Sequence, residues 1–239
     1  STANAVIRGQ IDLVNTTTIQ VDPDSTLSVE ARVTTSGFTK TGTGTLNLSG
    51  TNTFTGDADI TAGIVQAAND SALGATSGDT TVRDGAQLQL QGVDILNEAL
   101  TLNGAGIASD GALRATTGTN RWSGSVTLDS SSRIDTATGA TLLIDGSISG
   151  SGTSLTVGGA GDTTFTGANT YNTLTKTGSG QLTLSGAADS ATLSTVNVNA
   201  GTLELGTDNV LNYNGGTLTP DLNVSGTGTF VMGSGIDQD

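Results

Sequence analysis

Apolar residues in this chain recur at alternate positions in short runs, each opened by a glycine. Gly44-Thr45-Leu46-Asn47-Leu48, Gly63-Ile64-Val65-Gln66-Ala67, Gly85 to Leu90, Gly111 to Ala115, Gly139 to Ile144, Gly180 to Leu184, Gly201 to Leu205 and Gly228 to Met232 all share this form. Alternation of period two predicts strands with one apolar and one polar face, and the glycine permits the turn that brings the chain round a corner. From the first apolar residue of one run to that of the next, the steps are 19, 23, 25 and 29 residues from Leu46 to Leu142, and 21 from Leu182 to Leu203. Secondary strands are expected at 80–82, 99–102, 125–128, 154–157 and 195–198. Units this short cannot bury an apolar face alone and must stack on their neighbours.

The pattern therefore predicts an all-β fold, a right-handed parallel β-helix forming one elongated domain of roughly ten coils stacked at the ~4.8 Å strand spacing. An antiparallel sandwich is the structural alternative. Helix signals are confined to 69–74, with a partial echo at 208–211, because Thr, Gly and Asn disfavour helix interiors. The expected divisions are an N-terminal cap or docking segment at 1–36, the repeats at 37–211, and a final coil with a cap or docking segment at 212–239. Open strand edges at both ends are templates for pairing, which Pro23 and Pro220 would blunt.

Composition narrows the chemistry. The 239 residues include 35 Gly, two Pro, one Met, one Trp, and neither Cys nor His. Thiol, zinc-thiolate and imidazole chemistry are thereby excluded. A formal charge of −14, from 8 basic and 22 acidic residues, opposes binding to nucleic acid and anionic lipid. No run is long and apolar enough for a membrane helix. The start at Ser1 suggests a processed product or an excised piece.

Residues 38–74 read FTKTGTGTLNLSGTNTFTGDADITAGIVQAANDSALG, and a second copy opens at Leu174 (LTKTGSGQLTLSG) and resumes at Asn199-Ala200-Gly201-Thr202-Leu203-Glu204-Leu205. These segments resemble the autotransporter-associated β-strand repeat of bacterial secreted passenger domains. The second copy departs from the pattern after Gly186, where the Asn-Thr-Phe-Thr-Gly element is absent. The resemblance implies a β-helix that is secreted or on the cell surface, often adhesive, and normally followed by a membrane β-barrel.

Candidate carboxylates for a polysaccharide-active enzyme are Asp57 with Asp59, Asp84 near Arg83, and Asp129 with Asp135 flanking Arg133. Most lie in Gly/Ser/Thr-rich corners, where Asp commonly caps its own backbone, so no catalytic or cofactor-binding residue is assigned. Gly158-Gly159-Ala160-Gly161-Asp162 is a single, imperfect match to a calcium-binding nonapeptide. No cofactor is called for, and calcium stays open only because acidic surfaces attract divalent cations. Gly42-Thr43-Gly44 and Gly178-Ser179-Gly180 read as corners, not phosphate cradles. Trp122, Tyr171, Tyr213, Phe54 and Phe165 are read as packing rather than a sugar-stacking platform. Lys40 and Lys176, at matching positions of the two copies, are expected to lay their stems over the coil surface. The functional expectation is a non-enzymatic extracellular stalk or adhesin whose partners are surface ligands, glycans or copies of itself. The alternative is a self-assembling fibre subunit, and a polysaccharide-active enzyme ranks third.

Overall fold

The computed structural model describes residues 4–186, 193–206, 211, 213–214, 217–218 and 220–233. The chain winds as a parallel β-solenoid of about 9 turns. Its main sheet has 23 strands, and every pairing in it is parallel. Among the described residues the one antiparallel pairing joins Tyr213–Asn214 to Thr217–Leu218. That register excludes the sandwich.

Three walls make each turn. Wall A begins with Asn4–Ile7, Thr26–Val29, Thr45–Leu48 and Gly63–Ala67. It continues through Ala86–Gln91, Leu113–Thr117 and the end of Val126–Thr136 to Ser154–Gly159 and Thr173–Lys176. Wall B runs from Thr17–Gln20 and Phe38–Thr41 through Ala58–Ile60, Asp79–Val82 and Ala99–Gly104 to the start of Val126–Thr136, Ile148–Ser149 and Asn169–Thr170. Wall C carries Gln10–Leu13 and Arg32–Thr35, and later Thr119–Trp122, Thr141–Ile144, Asp162–Phe165 and Gln181–Leu184. The segment between Asn4 and Thr35 thus already lies in paired strands. All five secondary strands expected from the sequence form.

Inward residues stack in register. On wall A, Leu46, Val65, Leu88, Leu113, Ile134 and Val157 follow one another turn by turn, each fully buried. This explains the looseness of the sequence period. The steps of 19, 23 and 25 residues are true turns, but Leu113 stacks on Ile134, 21 residues on, and not on Leu142. Leu142 belongs to wall C, above Asn120, so the step of 29 joined two different walls. The expected one-turn helix at 69–74 is a hydrogen-bonded turn, with Asn69 Oδ1 accepting from Ser71 N at 2.9 Å. Of its echo at 208–211, only Leu211 is described, and it is buried.

The corner between walls C and B is a ladder of glycines. Gly56, Gly78, Gly124, Gly146, Gly167 and Gly186 stand at this corner in six of the turns, and Gly37 packs against the Gly56–Asp57 peptide below them. None of these has a positive φ. Their requirement is space: a Cβ at Gly146 would overlap the Gly124 carbonyl, and one at Gly167 the Gly146 carbonyl. Turns can approach at strand spacing only if this corner is bare backbone. In the turn between Gly78 and Gly124 the corner residue is Glu98, whose side chain is buried.

Candidate functional site

The carboxylates singled out from the sequence do not converge. Asp59 pairs with Arg83 at 2.9 Å, and Asp57 accepts the backbone N–H of Asp79 at 3.1 Å. Asp135 is almost wholly buried and receives Arg133 Nη2 at 2.7 Å, while Asp129 is exposed. Among the described residues no group of three or more metal-ligating side chains forms. The glycines of the 158–162 segment instead serve packing, since a Cβ at Gly158 would overlap Arg133 Nη2.

The aromatic residues read as packing are inside. Phe54, Trp122, Phe165 and Tyr171 are buried, and Phe54 meets Phe38 edge-on with ring centroids 5.5 Å apart. The side chain of Tyr213 lies outside the described residues. Asn52, two residues before Phe54, ties three turns together. Its Oδ1 accepts Val33 N at 2.8 Å and its Nδ2 donates to Ala72 O at 2.7 Å.

Both lysines depart from expectation. Lys40 and Lys176 do not lie over the coil; they point into it and are 0 % and 1 % exposed. Strand parity is the reason, because Lys40 alternates with inward Phe38 and Lys176 with inward Leu174. Each ammonium donates to three backbone carbonyls at a corner. For Lys40 these are Thr41, Gly42 and Ala62, at 2.9, 2.7 and 3.1 Å; for Lys176, Thr177, Gly178 and Ala200, at 2.6, 2.9 and 3.3 Å. Three N–H donors therefore meet three acceptors. Burial pushes both groups down to about 8 from the ordinary 10.5. Glycine makes room in each copy: a Cβ at Gly63 would come within 2.9 Å of Lys40 Nζ, and one at Gly201 within 2.7 Å of Lys176 Nζ.

Two outer surfaces carry ordered polar side chains. On wall B, Thr18, Thr39, Asp59, Thr81, Thr101, Thr127, Ser149 and Thr170 form one outward column in register. Its end borders a groove of about 740 Å³ that also includes Asp129, Ser151, Thr153 and Asn172. On wall A, Arg114 and Arg133 stand on adjacent turns around Asp135 beneath the corner loop 104–111.

The passenger-associated transport repeat family matches residues 38–67 and 174–205. The chain carries passenger repeats of the autotransporter type. The matches coincide with the two lysine corners, so the local geometry described above is that of the repeat itself. In this passenger segment the first copy opens on wall B and the second on wall A. Of the 187–198 stretch, where the second copy departs from the pattern, residues 187–192 lie outside the described residues, and 195–198 form a strand stacked on Thr173–Lys176. The chain is also 35% identical over 166 residues to the adhesin BmaC autotransporter of Brucella suis biovar 1 (strain 1330), an alignment covering 69% of this chain and 4% of that protein. The chain thus matches a small part of that relative's length. These similarities place the passenger segment outside the cell or at the cell surface.

Sequence reasoning paired Asp135 with Arg133 but missed Arg114, whose approach to Asp135 depends on which residues stack 21 positions apart, and with it the local Asp110–Arg114 pair. Glu98 was also missed. Its position before an alternating strand, where neighbouring turns carry Gly, is the signal that would have marked it.

Proposed function

We propose that this passenger segment is a non-enzymatic adhesive rod, binding surface ligands through side chains on its outer walls. The observation that carries the reading is the continuous polar column of wall B, a repetitive recognition surface on a rigid scaffold. The candidate carboxylates Asp57, Asp59 and Asp135 are engaged in hydrogen bonds and ion pairs of the coil and do not converge on one groove, which supports a non-enzymatic role. Similarity to an adhesin adds further support. Binding of the labelled chain to cultured epithelial cells tests it. Saturable binding competed by unlabelled chain is expected; absence of binding, with release of reducing sugar from a polysaccharide panel, would overturn it.

A further inference from the structure

The density of cationic donors on wall A has no counterpart elsewhere on this acidic chain. Of its eight basic residues, Lys40 and Lys176 are consumed inside the coil, while Arg8, Arg83 and Arg121 are paired with carboxylates. Arg32 donates to Thr53 Oγ1. Arg114 and Arg133 are also paired with carboxylates, but they converge, both meeting Asp135. Arg133 lines two grooves at once. One, of about 520 Å³, has Arg114, Gly159, Ala160 and Gly178 among its walls; the other, of about 270 Å³, is edged by Ser109, Ser131, Ser154 and Thr156.

Neither guanidinium is fully satisfied. Arg133 donates to Asp135 and to Thr177 Oγ1, at 2.7 and 3.1 Å, and Arg114 Nη1 to Asp110 at 2.7 Å, while the Nε of each is buried without a hydrogen-bond partner, that of Arg114 lying 3.9 Å from Asp135. The two carboxylates are not alike. Asp135 is 6% exposed and fixed behind the arginines, whereas Asp110 is 51% exposed. Asp110 also ends a strained loop in which Ala108 and Ser109 have φ of 51° and 62°, a left-handed conformation that L-residues adopt at a cost.

We infer that this double groove is a binding site for a carboxylated sugar, and that Asp110 occupies on Arg114 the position the ligand's carboxylate takes. A guanidinium pair presents the forked donors that a carboxylate matches. The serine and threonine hydroxyls and the bare Gly159 and Gly178 backbone suit a polyhydroxylated ring. The carboxylate has two sources in sugar chemistry, a uronic acid or a terminal sialic acid. This inference rests on the adhesive reading for its biological setting, but its geometry is independent of it.

Calorimetry with tri-galacturonic acid, α2,3-sialyllactose and neutral lactose tests the site on the whole chain. One or both acidic sugars bind and lactose does not, and the sugar that binds identifies the source. Arg133→Gln and Arg114→Gln each weaken binding about tenfold or more, the worth of a charge-assisted hydrogen bond. Asp110→Asn strengthens it, because the internal competitor is removed. Asp110 is exposed, so this variant folds even if Arg133→Gln does not. Failure of wild type and Asp110→Asn to bind either acidic sugar overturns the inference, as does unchanged affinity in folded Arg133→Gln. Cell binding separates the two claims: saturable cell binding by a chain that binds neither acidic sugar sinks this site and leaves the adhesive reading standing. Sugar binding without cell binding does the reverse.

Discussion

Lys40 and Lys176 are equivalent residues of two repeat copies and yet stand on different walls of the solenoid. Lys40 is stacked between Ile19 and Ile60 on wall B, and Lys176 between Val157 and Val198 on wall A. The flanking corners are nonetheless matched, with φ of 72° and 69° at Gly42 and Gly178, and 71° and 69° at Gly63 and Gly201. What the repeat encodes is therefore a local corner and its clamp, not a position on the circumference.

Methionine at either lysine keeps the aliphatic stem and removes all three donors. The buried corner carbonyls then lose their partner, and Lys40→Met and Lys176→Met should each cost about 1–3 kcal/mol in urea unfolding. The sites share no partner, so the double variant should lose the sum to within about 0.5 kcal/mol. A negligible loss at one site alone would show that the clamps are not equivalent.

The same lysines set an alkaline pH dependence. Their folded values lie near 8 and the ordinary value is 10.5, so between these limits the unfolded chain binds more protons than the folded one. Stability from this source is fully present above 10.5 and is lost as pH falls through 8. Melting temperatures from pH 7.5 to 10 should rise more steeply in wild type than in the double methionine variant. Equal slopes would refute the assignment.

Glu98 acts in the opposite sense. Desolvation raises it to about 7 from 4.5, with nearby Asp79 and Asp57 adding to the shift and the Thr80 hydroxyl, which donates to it at 2.7 Å, opposing it. Its contribution to stability is fully present below 4.5 and is lost as pH rises through 7. Glu98→Gln should therefore be more stable than wild type at pH 8, with the gap closing toward pH 4.5. A constant gap across that range would place the cause elsewhere than ionisation.

The glycine corner predicts a contrast between two alanine substitutions. Gly146→Ala drives a Cβ into the Gly124 carbonyl and should cost about 3 kcal/mol, the upper end for overpacking. Gly152 has a φ of 70° with open space around it, so Gly152→Ala should cost about 1 kcal/mol from backbone conformation alone. Chemical denaturation of the two variants measures both, and equal losses would remove close approach as the reason for the ladder.

Strand positions were legible because alternation is local: Leu46-Asn47-Leu48 and Leu182-Thr183-Leu184 form strands wherever they fall on the circumference. Wall assignment was not, since it depends on the lengths of every intervening corner. That is why the step from Leu113 to Leu142 misled, and why Arg114 beside Asp135 was invisible. The lysines were legible in principle. Their parity with Phe38 and Leu174 pointed inward, but expectation for a long charged side chain pointed outward, and the three corner carbonyls that resolve this come partly from the next turn.

The offset of the two lysine corners also bears on how such a rod fails under load. With every clamp along one edge, the other two edges would form continuous weak seams through which a pulling force could peel successive turns. Here one clamp sits at the corner from wall B to wall A and the other at the corner from wall A to wall C, so two of the three edges each carry a reinforced corner that a tear along that edge must break.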